Sequence, residues 1–367
     1  MGLLQNPTEN SFATALLFVK KTSEKEQKTV RRILMISTGG TLASAHGEQG
    51  LTPELRGDDI LHKIASLTDG FTIDVEELFM LDSSNMQPEE WSALAQRVYE
   101  CRMDYDGIVI IHGTDTLAYT ASALSFALQQ IEIPVVLTGS QVSIENPIAD
   151  ATENCRAALH MAASGCPGVY VAFNRKIIMG TRASKVRTRS FDAFESIDYP
   201  YAARINSGGL VVNPALRTEH NTPCVLQNRF CTDIFLLKLF PGISPDIFKQ
   251  LAAMGIRGVY IEAFGIGGLP FLKRNMIEAV RKAAEDGMII ALGSQCLYEG
   301  SDFTVYEVGR QVLDCGVIET GNMTSEAAVT KLMWTLGQYE EPQQIREVMK
   351  KNLLGEIGNT INWNESR

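Results

Sequence analysis

Two short stretches of the chain set hydroxyl and carboxylate groups among glycines: Thr38-Gly-Gly-Thr41 and His112-Gly-Thr-Asp-Thr116. Glycines let a backbone turn sharply and approach a ligand closely, and Thr41 offers a hydroxyl at that approach. The second stretch adds the Thr114 hydroxyl, the Asp115 carboxylate and free backbone N–H groups at a helix start. Such N–H groups can hold an anion or a developing oxyanion. Taken singly, each stretch also has the composition of a tight turn or a helix N-cap. Other chemistries lack their residues. No G-x-G-x-x-G follows the first strand, and neither a G-x-S-x-G elbow nor a G-x-x-x-x-G-K-[ST] loop is present. His46, His62, His112, His160 and His220 are scattered without metal-ligand spacing. What remains is a hydroxyl nucleophile with no obvious histidine base.

The elements that must position these groups are strands alternating with helices. Ile33-Leu-Met-Ile36 runs into the first loop, and Asp106-Gly-Ile-Val-Ile-Ile111 runs into the second. Ile133-Pro-Val-Val-Leu137 runs into a third, Thr138-Gly-Ser-Gln141, and helical patterns cover 117–130 and 149–163. Continuous apolar strands of about five residues, each followed by a loop and a helix, predict a parallel sheet covered on both faces. In such α/β doubly wound domains ligands bind beyond the carboxyl ends of the strands, where these three loops stand. A polar, irregular stretch at 206–229, with Gly208-Gly209, Pro214 and Pro223, predicts the boundary. Beyond it the pattern restarts as a smaller C-terminal α/β domain. The expected organisation is an extension over 1–30, a larger N-terminal catalytic domain over 31–205, a linker over 206–229 and the smaller domain over 230–367.

Composition narrows the partners. The length of 367 residues suits two domains at roughly 150 residues each. Lys+Arg 33 against Asp+Glu 43 gives a net charge of −10, so the average surface repels phosphate backbones and nucleic acid is not an expected partner. No segment has the run of about 18–20 apolar residues that spans a membrane. The apolar run from Phe12 to Val19 has no Lys or Arg before it and Lys20-Lys21 after it, unlike a signal peptide. A cytoplasmic location is expected. The seven cysteines (Cys101, Cys155, Cys166, Cys224, Cys231, Cys296 and Cys315) show no C-x-x-C spacing and read as reduced thiols.

In combination the loops are specific. Thr38-Gly-Gly-Thr41-Leu-Ala and His112-Gly-Thr-Asp-Thr116, in this order, resemble the asparaginase/glutaminase family of bacterial-type amidohydrolases. The resemblance continues through Leu81-Asp-Ser-Ser-Asn-Met86, Leu137-Thr-Gly-Ser-Gln141, Lys185 with Phe191-Asp-Ala-Phe194, Gln295-Cys-Leu297 and Asn322-Met-Thr-Ser-Glu-Ala327. It covers nearly everything from Arg31 to Glu356, and Ala118-Tyr-Thr-Ala-Ser-Ala-Leu124 is similar to the type I, cytoplasmic branch. The resemblance implies that Thr41 attacks a side-chain amide and forms an acyl-enzyme. It implies that Thr114, Asp115 and Lys185 form a second hydroxyl–carboxylate–ammonium group. Ser83 and Asp115 would grip the α-carboxylate and α-ammonium of the substrate, with Ser84 at a neighbouring position. The implied reaction is L-asparagine and water to L-aspartate and ammonia, with no cofactor or metal. A homodimer or homotetramer is implied, each site being completed by the partner chain.

The departures from the pattern are informative. Many members carry a tyrosine on the loop after the first motif, where this chain reads Gly50-Leu51-Thr52-Pro53, so the hydroxyl is missing at Leu51. Some relatives supply a tyrosine from the C-terminal domain, and Tyr306, in Thr304-Val-Tyr-Glu-Val308, lies in a comparable stretch. Type I members can hold a second, regulatory asparagine. Cys296 matches one position of that site, but Glu262 stands where an arginine is expected. Two alternatives to an asparaginase follow from the same resemblance. One is the amidase subunit of a tRNA-dependent amidotransferase, which would carry a larger N-terminal extension. The other is a catalytically silent amino-acid sensor, for which Leu51 is the argument.

Overall fold

The computed structural model describes residues 30–40, 42, 44–47, 50–53, 62–64, 70–216 and 222–358. The first strand, β1 (Arg31–Gly39), is followed by a small hairpin, β2 (Ser44–Gly47) and β3 (Gly50–Pro53), and then by β4 (Phe71–Leu81). Next come α1 (Pro88–Cys101), β5 (Gly107–Ile111), α2 (Leu117–Ala127), β6 (Pro134–Thr138), α3 (Ala151–Ala162) and β7 (Gly168–Phe173). The strands β4, β1, β5, β6 and β7 lie side by side in that order, all parallel. Every residue of β5 and β6 is buried, as sheets covered on both faces require.

Alternation along the strands divides the core in two. Leu34, Ile36, Ile108 and Ile110 face Leu94 and Val98 of α1 and Ala121 and Leu124 of α2. Ile33, Met35, Val109 and Ile111 face Cys155, Ala158 and Leu159 of α3. Register then brings the loops together. Ser37 pairs with Ile111 and Ile111 with Thr138, so the chain leaves β1, β5 and β6 at one level.

The expected parallel sheet is borne out, and its far edge adds antiparallel strands. The chain turns back through Asn174 and Arg175, both at positive φ, into β8 (Lys176–Met179), antiparallel to β7. Such a tight turn leaves no length for a crossover helix. After β9 (Ala183–Lys185) and β10 (Phe194–Ser196), which pair with each other, β11 (Ala203–Asn206) and β12 (Gly209–Val212) extend the sheet antiparallel. The expected linker at 206–229 thus contributes β12 to the first sheet. Its glycines belong to a hairpin turn, which composition alone does not separate from a linker.

The second unit is a parallel sheet of β13 (Ile234–Lys238), β14 (Gly258–Ala263), β15 (Ile289–Ser294) and β16 (Ile318–Glu319). Helices α4 (Ile247–Ala253), α5 (Met276–Glu285) and α6 (Glu307–Leu313) accompany it, followed by α7 (Ser325–Gln338) and α8 (Pro342–Lys350). Caps fix the helix starts: Gln87 and Glu90 form a capping box on α1, Asn275 accepts from Glu278 N and Thr324 from Ala327 N. Helix α7 packs on α2, with Phe126 stacked on Trp334 at 5.8 Å, and this contact joins the two units. Among the described residues no helix is long and apolar enough to cross a membrane.

Candidate active site

The loops leaving β1, β4 and β5 touch backbone to backbone. A Cβ at Gly40 would stand 2.4 Å from Gly113 Cα, and one at Gly113 would stand 2.6 Å from Ser83 Oγ. A side chain at either position has no room, which is why both are glycine. Gly40 also has φ +89°, a conformation glycine adopts without strain. Gly40 N donates to Leu81 O at 3.0 Å and Thr38 Oγ1 to Ile111 O at 2.9 Å, locking the first loop to its neighbours. Thr41, the expected nucleophile, lies outside the described residues.

Around this junction the structure gathers several of the expected groups. Lys185 Nζ donates to Thr114 Oγ1 at 2.8 Å and to Asp115 Oδ1 at 2.5 Å. The lysine side chain is 17% exposed and the aspartate 65%, so the ammonium is withdrawn behind a carboxylate that reaches solvent. Ser83 is buried, with its Oγ accepting from Asp115 N at 3.2 Å and its carbonyl accepting from Thr116 Oγ1 at 2.7 Å. Ser84 is exposed beside it, and its hydroxyl and N–H both donate to Asp82 Oδ1.

Tyr306 stands apart. It is the N-cap residue of α6, 63% exposed, and its hydroxyl makes no hydrogen bond among the described residues. Leu51 pairs with His46 in the β2–β3 hairpin, and its side chain lies outside the described residues. Glu262, where the resemblance led to an expectation of arginine, is buried, accepting from Lys238 Nζ at 2.9 Å and from Ser325 Oγ at 2.5 Å. Cys296 is exposed.

Other residues hold the site without having been given a role from the sequence. Gln141 Oε1 accepts from Thr114 Oγ1 at a long 3.4 Å, while Gln141 Nε2 donates to Ser190 O at 3.0 Å. Asp150 accepts from Gln141 N at 3.0 Å and from Asn154 Nδ2 at 2.9 Å, clamping the loop after β6. Burial pushes the Asp150 carboxyl up against the lowering effect of those hydrogen bonds. His112 is wholly buried, and desolvation pulls its imidazole down to about 4. The sequence motifs name Gln141 and His112 without these contacts, which form only once the loops after β5 and β6 are folded.

Chemically, the cluster is a hydroxyl held by an ammonium and flanked by a carboxylate. A positive charge donating to an oxygen lowers the cost of that oxygen giving up its proton. Such a group can take part in proton transfer beside a nucleophile that lacks a histidine.

Comparison with known proteins is consistent over nearly the whole chain. Residues 32–217 match the family model "Asparaginase, N-terminal" and residues 233–349 match "Glutaminase/Asparaginase C-terminal domain". The L-asparaginase of Thermococcus kodakarensis is 43% identical over 328 residues, covering 89% of this chain and 99% of its own. The solved structure of the thermostable L-asparaginase from that organism superposes with a TM-score of 0.84 at 42% identity, over 89% of this chain and 99% of its own. L-asparaginase I of Vibrio cholerae superposes at 0.79 with 28% identity, over 89% and 99%. A glutamyl-tRNA(Gln) amidotransferase subunit of Methanosphaera stadtmanae is 35% identical over 358 residues, 94% of this chain and 80% of its own.

Proposed function

The chain belongs to the asparaginase/glutaminase family, and from that premise we propose that it hydrolyses L-asparagine to L-aspartate and ammonia through an acyl-enzyme on Thr41. The observation that carries this reading is the Lys185–Thr114–Asp115 cluster, which shares one junction with Gly40, the residue next to Thr41. The Thr41 hydroxyl adds to the side-chain amide carbon while its proton moves toward the leaving nitrogen. Ammonia departs, and water then adds to the ester and releases aspartate and the threonine. Thr114 and Lys185 support the proton movement. Ser83 and Asp115 hold the α-carboxylate and α-ammonium groups, with Ser84 beside them. The 31–205 unit supplies this machinery in a cytoplasmic homodimer or homotetramer, and Tyr306 of a neighbouring copy replaces the hydroxyl missing at Leu51.

The test is ammonia release from the purified protein with asparagine, with glutamine and without substrate, alongside Thr41→Ala. Asparagine turnover that Thr41→Ala removes supports the reading, and wild-type-like activity in that variant refutes the acyl-enzyme. Glutamine should be poorer by about a hundredfold, because the extra methylene displaces the amide by about 1 Å from a nucleophile fixed relative to the α-carbon grips. The similarity to the amidotransferase subunit favours a second reading, in which ammonia is released only in a complex with charged tRNA. A protein that binds asparagine but releases no ammonia would be a sensor.

A further inference from the structure

His112 ends the chain's path out of β5 and stands one residue before the glycine of the site loop. Its Nδ1 lies 2.7 Å from the carbonyl oxygen of Gly113, and its Nε2 lies 2.9 Å from Thr120 Oγ1 on α2. Trp91 of α1 donates its indole N–H to that same Oγ1 at 3.0 Å. The chemistry of the partners fixes every proton in this series. A carbonyl only accepts, so Nδ1 must carry the hydrogen. An indole N–H only donates, so Thr120 Oγ1 accepts from it and has its own hydrogen left for Nε2. A neutral imidazole protonated at Nδ1 satisfies all three contacts, and burial keeps this ring neutral by holding it down to about 4.

We propose that Trp91, Thr120 and His112 form a positioning relay that sets the plane of the Gly113–Thr114 peptide and so aims the Thr114 N–H at the oxyanion formed from the substrate amide. The inference rests on the amide-hydrolysis reading above. All peptides described are trans, so the Thr114 N–H points away from the carbonyl that His112 holds. None of the described residues accepts from that N–H, which leaves it available at the junction with Gly40. Gly113 has no side chain with which to restrain its own carbonyl, and Ser83 Oγ and Gly40 Cα leave no space for one. A backbone donor for an oxyanion must be aimed before the charge develops. Here the aim comes from the ring behind it.

The test has a spectroscopic arm and a kinetic arm. Two-bond 1H–15N correlation of the full-length protein at neutral pH, with His112 assigned by its loss in His112→Asn, should show the Nδ1–H tautomer. Free imidazole side chains favour Nε2–H, so an Nε2–H signal overturns the relay whatever the kinetic outcome. In kinetics, asparagine side chains place an N–H where Nδ1–H stands, whereas glutamine reaches only the Nε2 position. His112→Gln should lower kcat by about 10–100-fold with KM within about threefold, and His112→Asn should stay within about fivefold of the parent. Equal kcat in the two variants, or losses that merely follow Tm, overturns the proposal. A parent protein that releases no ammonia would sink the hydrolysis reading alone, and the tautomer would still decide the relay.

Discussion

Ser184 Oγ donates a hydrogen bond of 2.8 Å to Glu326 Oε1, across 142 residues of sequence. Ser184 precedes Lys185 on β9, and Glu326 lies in the first turn of α7, so the bond ties the strand bearing the site lysine to the second unit. The neighbouring Arg182 extends the same seam. Its buried guanidinium donates to Gly355 O at 2.6 Å and to Asn322 O at 2.9 Å. The position of Lys185 is therefore a property of both units, since its strand is held from behind by residues at 322, 326 and 355.

Burial, with the nearby Glu262 carboxylate, pushes the Glu326 carboxyl above its ordinary 4.5, while its hydrogen bonds oppose the shift. A group raised in the folded state contributes stability below its unfolded value, and that contribution is lost as pH rises through the folded value. Glu326→Gln keeps the acceptor for Ser184 and removes the ionisation. Its Tm should exceed that of the parent by a margin that grows as pH rises from below 4.5 toward neutrality. A margin that shrinks over that range would contradict the assignment.

Lys331 and Glu356 form an ion pair at 2.6 Å with both side chains fully buried. Glu356 also accepts from Leu353 N and Leu354 N, holding the segment after α8 against the core. Glu356→Gln leaves a buried ammonium facing neutral acceptors only, which should cost about 3–5 kcal/mol in chemical denaturation. Adding Lys331→Met removes the stranded charge and should recover at least about half of that loss. A double variant less stable than the single one would show that the charge is not the cause.

Lys185→Met retains the stem and removes the ammonium from Thr114 and Asp115. The expected loss in kcat is about 10²–10⁴-fold, the scale of one positioned proton-transfer group. Stability should barely move, because Asp115 is 65% exposed and ion pairs of that kind contribute about 0–1 kcal/mol. Lys185→Arg should not restore the rate, since the longer, planar guanidinium fork sets its N–H groups in a different geometry from the single ammonium nitrogen that meets both Thr114 Oγ1 and Asp115 Oδ1. Steady-state kinetics and a melting curve on both variants check this.

The legible part of the molecule is whatever its own strand and loop encode. Ile33–Ile36, Gly107–Ile111 and Pro134–Thr138 are apolar runs with hydroxyl-rich ends, and they form β1, β5 and β6 with their loops level. The antiparallel edge is hidden because β8, β11 and β12 are only four residues each and are half-exposed in places, too short for a period to register. In the sequence His112 opens the second motif and is given no role of its own. Its meaning depends on Thr120, which reaches it from α2, and on Trp91 of α1, which donates to Thr120. Glu326 stands in the sequence only as part of the motif Asn322-Met-Thr-Ser-Glu-Ala327, and only the packing of α7 onto the first unit gives it Ser184.

Tyr306 offers the sharpest test of how the site is completed. The residue is 63% exposed and its hydroxyl bonds to nothing in its own chain among the described residues, so the hydroxyl does no work in the fold. Tyr306→Phe keeps the ring and removes that oxygen, and Tm should not change. If the hydroxyl serves the Thr41 loop of a neighbouring copy, kcat should fall about 10–1,000-fold, as for one positioned proton-transfer or oxyanion group. An unchanged rate would make Tyr306 a surface aromatic and leave the position of Leu51 without a substitute. Mixing separates the two chains. A hybrid of Thr41→Ala and Tyr306→Phe protomers contains one site with both defects and one with neither. Activity should therefore reappear on mixing two impaired parents. If Tyr306 acted on Thr41 of its own chain, every site in the hybrid would carry one defect, and mixing would restore nothing.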